Sequence, residues 1–265
     1  MRRRTVFNTP LVPTAEHIQR DQPAGVPPLE LTGERTLPDV PAENYWYRRH
    51  LAVYEWIAER CAGLEVVDMA CGEGYGTAVL ARRAARVTGV DANPEAHEHA
   101  RLKYSRPGVR FVRDLVERHA EPCDAVVFLQ TIEHVANPED VLRHFRGLLA
   151  PAGVVYVSTP NLLTIAPQGA SKSDNPWHVK EYLAHEFRGL CEAVFDSVEI
   201  YGLYHARMLR AHGLALSLGW DRIHKRLGLS GPFYERFTPR IQSSDFVLSN
   251  RRPLYNALDF LAICQ

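Results

Sequence analysis

The chain has 265 residues, 31 Lys plus Arg balanced by 31 Asp plus Glu, and five cysteines. Zero net charge removes any general pull toward nucleic acid or an anionic membrane, and Cys61, Cys71, Cys123, Cys191 and Cys264 are too scattered for a zinc knuckle or a C-x-x-C redox pair. No signal-peptide core follows "MRRRTVF" and no later run is apolar enough to span a bilayer, so a soluble cytoplasmic protein with no membrane partner is expected.

Residues 1–41 are rich in Pro and Gly ("QPAGVPPLELTGERTLPDVP") and predict an extended arm without a core of its own; residues 42–265 predict one domain. The stretch Ala42 to Cys61 predicts an amphipathic entry helix with Trp46, His50, Val53 and Ile57 on its apolar side. Five apolar runs follow, "LEVVDMA", "RVTGVDA", "VRFVRD", "CDAVVFLQ" and "GVVYVSTP", alternating with helical stretches such as "GYGTAVLARRA" and "PEAHEHARLKY". That alternation predicts an α/β fold with a doubly wound, mostly parallel sheet. Asn137 is a candidate N-cap with Pro138 at the first helical position, and Val141, Leu142, Phe145 and Leu148 share one face. "FDSVEIYGLY" and "SSDFVLSN" predict two final strands, joined by a long connection that includes residues 207–240.

The motif "VVDMACGEGYG" places Asp68 at the end of the first strand and Gly72, Gly74 and Gly76 in the turn after it. A dinucleotide fingerprint needs a different glycine spacing and has no use for a charge inside the first strand. A buried carboxylate needs donors, and a ligand carrying an ammonium group would supply one. The motif resembles motif I of class I methyltransferases, which bind S-adenosylmethionine. The resemblance covers about residues 64–204 and implies a Rossmann-like, seven-stranded sheet with an antiparallel last strand. It also implies cofactor contacts from Asp68, Ala70 (glycine in most members), Gly72, Gly74, Gln130, the second-strand pair Asp91 and Ala92, and the third-strand pair Asp114 and Leu115. Asp91 would accept both ribose hydroxyls.

The fourth strand runs into "QTIEHVANPEDV", and a later polar loop, "GASKSDNPWHVKEY", carries His178. Glu133, His134 and His178 together offer a carboxylate and two imidazoles, suited either to a divalent ion such as Mg²⁺ or to general-base work by a histidine. The pattern resembles ubiquinone-biosynthesis O-methyltransferases and the enzymes that methylate the terminal ribose of small RNAs. Gln130 stands where the RNA enzymes have a metal-binding glutamate. His97, His99 and His144 are expected to be solvated surface residues.

"LTGERTLPDVPAENYWYRRH" resembles an N-terminal segment that folds over the cofactor in sugar-modifying members, which implicates Glu34, Arg35 and Tyr45. Residues 207–240 hold seven Lys or Arg against two acids, with Trp220, Phe233, Tyr234 and Phe237 interleaved. They are expected to form a helical lid that covers the acceptor. Taken together, these segments resemble bacterial saccharide O-methyltransferases, most nearly those of methylmannose-polysaccharide biosynthesis. The expected partner is a saccharide. An RNA or phenol acceptor and a non-catalytic cofactor-binding protein remain as alternatives, and the chain could be a monomer or a dimer.

Overall fold

A computed structural model describes residues 18–31, 35–167 and 169–265; Glu34 lies outside the described residues. The domain opens with α1 (Asn44–Ala58) and continues through β1 (Glu65–Met69), α2 (Tyr75–Leu80), β2 (Arg86–Asp91), α3 (Pro94–Tyr104), β3 (Val109–Arg113) and β4 (Cys123–Leu129). Then come α4 (Pro138–Leu148), β5 (Leu149–Pro160), α5 (Leu162–Ile165), α6 (Ala184–Glu192) and β6 (Val198–His205). The chain ends with α7 (Arg207–Ser217), α8 (Trp220–Arg226), α9 (Ser230–Phe237), β7 (Phe246–Ser249) and β8 (Asp259–Cys264).

The sheet is eight-stranded, in the order β3-β2-β1-β4-β5-β8-β6-β7. Strands β1 to β5 are parallel, whereas β8 runs antiparallel between β5 and β6, and β7 pairs antiparallel at the edge. This is one strand more than the seven expected. The missed strand, "DFLAIC", lies at the end of the chain with no turn signal after it. Val66, Val67, Val126, Val127, Val155 and Val157 are buried because helices cover both faces, which favours continuous β-branched runs in central parallel strands. One core lies beneath α4 and α6 (Phe128, Leu142, Phe145, Phe187, Phe260) and the other beneath α1 and α2 (Tyr54, Ile57, Val79, Val127, Leu261). All five cysteines are free and buried.

Several expectations change once packing is visible. On α1 the buried residues are Tyr45, Arg49, Leu51, Val53, Tyr54, Ile57 and Ala58, while Trp46 and His50 are half-buried. Arg49 is tolerated inside because its Nε donates to Asp259 Oδ2 at 2.6 Å and its Nη2 to the Leu258 carbonyl at 2.8 Å. The arm does have a small core: Leu29, Leu31, Leu37 and Val40 cluster together. His99 is not solvated but wholly buried. His144 is half-buried and donates from Nε2 to the His119 carbonyl at 2.8 Å, and His97 is also half-buried. Pro138 starts α4 as expected, although the Asn137 side chain makes no capping bond.

The insertion holds α7 to α9. Its aromatics pack on one another rather than forming an open platform: Phe233 and Phe237 stack 5.2 Å apart, and His212 lies against Phe233, Tyr234 and Phe237. Leu209 is buried in the main core, so the root of the insertion belongs to the domain.

Candidate active site

Parallel strands place their following loops at one edge of the sheet, and the site is built there. At its first end, β1 delivers Asp68, which is fully buried. Its Oδ2 accepts from the Thr77 hydroxyl at 2.6 Å and its Oδ1 from the Tyr54 hydroxyl at 3.2 Å. Contrary to expectation, no outside ammonium is needed to satisfy this carboxylate, because α1 and α2 already supply donors. Burial pushes Asp68 up to about 7, against the lowering effect of the two hydroxyls.

The turn that follows is left-handed at three positions, with φ of 56° at Ala70, 55° at Gly72 and 95° at Gly74. Ala70 bears the strain that a side chain incurs there. A Cβ on Gly74 would come within 2.7 Å of Ala100 Cβ, whereas above Gly72 the nearest atom is Arg35 Cβ at 4.0 Å. Arg35 thus lies over the turn. Tyr45 does not join it. Its ring is buried against Trp46 and Phe246, and its hydroxyl meets His205 Nε2 at 2.8 Å.

Asp91, half-buried at the end of β2, fixes the turn from the side by accepting from Gly72 N at 2.8 Å and from Asn93 N at 2.9 Å, one bond to each oxygen. Each oxygen keeps a second acceptor site, so Asp91 can hold the turn and still take two ribose hydroxyls. Asp114 N donates to the Asp91 carbonyl at 3.3 Å, which joins Asp91, Ala92, Asp114 and Leu115 into one ledge. Leu115 is 44% exposed and offers an apolar surface to a base. The acceptors, the open turn and this ledge suit an adenosine with an amino-acid tail.

At the other end, Gln130 has a φ of 52° and its Nε2 donates to Ser158 Oγ at 3.0 Å, tying the ends of β4 and β5 together. Just beyond it, one ligand-capable atom from each of Glu133, His134 and His178 lies within 4.8 Å of the others. The Glu133 carbonyl accepts from Val179 N at 2.8 Å, which brings the "NPWHVKEY" loop against β4. Glu133 Oε2 accepts from the Thr159 hydroxyl at 3.1 Å, and burial pushes its carboxyl up to about 8. His134 Nδ1 donates to the Trp177 carbonyl at 2.9 Å. His178 Nδ1 faces Glu181 Oε1 at 2.6 Å, and its Nε2 faces the Asn175 amide at 2.9 Å. Burial pulls the Glu181 carboxyl up, but the His178 and Ser173 hydrogen bonds outweigh it and hold the group below its ordinary value.

Thr159, Asn175, Glu181, Tyr54 and Thr77 were not singled out by sequence reasoning. The polar density of "SDNPWHVKEY" was the available signal for two of them.

Residues 45–212 match the methyltransferase domain family, and the chain belongs to it. With this sheet order and glycine turn it is a class I S-adenosylmethionine-dependent methyltransferase. It is 35% identical over 247 residues to a probable S-adenosylmethionine-dependent methyltransferase of Mycolicibacterium smegmatis, covering 89% of this chain and 94% of that protein. A protein of the same description from Mycobacterium tuberculosis is 40% identical over 185 residues, 69% of this chain and 67% of that one. A ubiquinone biosynthesis O-methyltransferase of Aeromonas salmonicida is 35% identical over 116 residues, 40% of this chain and 49% of that protein. Among solved structures, a SAM-dependent methyltransferase of Archaeoglobus fulgidus shares the fold with a TM-score of 0.54 at 14% identity, covering 83% of this chain and 93% of that one. Among the described residues no helix is long and apolar enough to cross a membrane.

Proposed function

We propose that the chain is an O-methyltransferase acting on a saccharide hydroxyl, with Glu133, His134 and His178 acting on the acceptor oxygen. S-Adenosylmethionine supplies an electrophilic methyl group, so the chain's own task is to make an alcohol oxygen nucleophilic. An alcohol loses its proton far above neutral pH, and the attack needs a base or a Lewis acid at the oxygen. The convergence of the three side chains within 4.8 Å carries this reading.

The donor set suits a divalent ion. Glu133 would ionise beside a cation, His134 Nε2 is oriented by the Nδ1 bond to Trp177, and His178 is oriented by Glu181 in the carboxylate-histidine arrangement typical of metal ligands. His178 Nε2 would exchange its contact with Asn175 for the ion. Two imidazole nitrogens favour Mn²⁺ over Mg²⁺, which prefers oxygen ligands. Without an ion, a histidine of the pair takes the proton itself.

Two observations support a sugar rather than a flat apolar acceptor. The loop around the triad is polar, and Trp177, 49% exposed, joins the site through its carbonyl and offers a ring to a sugar face. The Aeromonas relative favours a phenol as the second reading. The deciding experiment is transfer of labelled methyl from S-adenosylmethionine to oligosaccharides, phenols and RNA, each with EDTA, Mg²⁺ or Mn²⁺. Transfer to oligosaccharides restored by the ion is the expected result; transfer only to phenols or RNA would replace the saccharide assignment.

A further inference from the structure

Glu73 lies between Gly72 and Gly74 in the cofactor turn, yet its side chain points away into the protein and is 1% exposed. A buried carboxylate is costly unless donors surround it, and this one has five. Its Oε1 accepts from Lys103 Nζ at 2.8 Å, faces His99 Nε2 at 2.9 Å and accepts from Gln19 Nε2 at 3.2 Å. The Tyr104 hydroxyl lies 3.0 Å from Oε2, and Tyr75 N donates to the same oxygen at 3.1 Å.

Two of these donors lead into the arm. Gln19 belongs to it, and the Gln19 side chain also donates to the Pro38 carbonyl at 3.2 Å and accepts from Leu29 N at 3.1 Å. His99 Nδ1 donates to the Pro27 carbonyl at 2.7 Å. A third tie is Lys103 Nζ, which reaches Asp39 Oδ2 at 3.3 Å. The arm residues held in this way carry the Leu29, Leu31, Leu37 and Val40 cluster, and Arg35, in the same segment, lies over Gly72.

We propose that Glu73 is a positioning residue that latches the arm across the cofactor turn and so governs cofactor exchange. One carboxylate sits at the junction of the glycine turn, α3 and the arm. A cofactor seated on the turn can leave quickly only when the arm lifts, and lifting removes Gln19 and the Pro27 carbonyl from the network. The remaining partners, Lys103, His99 Nε2, Tyr104 and Tyr75 N, are enough to keep Glu73 satisfied. The cost of opening therefore falls on the arm and leaves the core intact.

The sharper variant is Gln19→Ala, which removes the arm's donor and leaves every donor from the domain in place; Glu73→Gln removes the charge that the other ties share. Stopped-flow release of S-adenosylhomocysteine from the full chain should be about tenfold faster in Gln19→Ala and faster still in Glu73→Gln. Limited proteolysis should cut the arm earlier in both, while the melting temperature of Gln19→Ala stays near that of the native chain. Release unchanged in Gln19→Ala although the arm is cut earlier would overturn the proposal. Faster release with the arm still protected would also overturn it, since Glu73 would then act on the turn alone.

Discussion

The two ends of the site share one sheet edge but are prepared differently. At the ends of β1 to β3 the carboxylates are held by neutral donors of the chain itself: Thr77 and Tyr54 for Asp68, Gly72 N and Asn93 N for Asp91. At the ends of β4 and β5 the titratable groups converge on one another. His134 and His178 stand 4.9 Å apart ring to ring, beside a Glu133 carboxyl pushed up to about 8. The first arrangement is a finished binding surface. The second gathers three side chains able to bind an ion or exchange a proton within 4.8 Å of one another.

The contrast is broken most directly at the triad. His134→Ala and His178→Ala should each lower turnover on the order of 10²- to 10⁴-fold while calorimetry shows native S-adenosylmethionine affinity. Equal loss of both would erase the distinction between the two ends. Asp91→Ala tests the opposite end and should weaken cofactor binding by about 2 to 4 kcal/mol, because the ribose partner and the Gly72 anchor are lost together. Unchanged binding in a folded variant would remove Asp91 from the cofactor site.

A smaller effect sharpens the comparison. Glu181→Gln keeps the bulk beside His178 but removes its charge, and should reduce metal affinity or turnover roughly 10- to 100-fold without moving cofactor affinity. Native behaviour of that variant in both assays would show that His178 needs no orienting carboxylate.

An effect confined to stability, with none expected on catalysis, concerns Glu43, which is buried just before α1 and pushed up to about 7 by burial alone, from an ordinary 4.5. The folded chain keeps a proton there that the unfolded chain releases. Its stabilising contribution is full below pH 4.5 and is lost as pH rises through 7. Glu43→Gln should therefore flatten the fall in unfolding free energy between pH 4.5 and 7 by up to about 3 kcal/mol, measured by denaturant titration without cofactor. An unaltered slope would mean that this carboxyl titrates normally.

The sequence was most legible where chemistry and strand ends coincide. Asp68, Asp91 and Asp114 each close an apolar run, so their positions at one edge follow from the parallel alternation alone. "IEHV" after β4 was legible for the same reason. His178 was harder, since a loop brings it to β4 through backbone bonds to the Glu133 carbonyl, and no periodicity reports such contacts. His99 was misjudged because a helix of mean polar character hid a buried histidine whose partners, Glu73 and Pro27, come from distant segments. Strand β8 was missed because its place between β5 and β6 depends on pairing at long range.

Gly76 links a helix contact to the charge state of the site. The Tyr54 ring occupies the space that a Cβ on Gly76 would need, and the Tyr54 hydroxyl is one of the two donors to Asp68. A single added methyl at Gly76 would push the ring aside and leave Asp68 with Thr77 alone, in a place where burial already favours its protonated form. How closely α1 approaches α2 therefore sets how many donors hold the Asp68 carboxylate at the end of β1. That makes the spacing of two helices an electrostatic property of the enzyme.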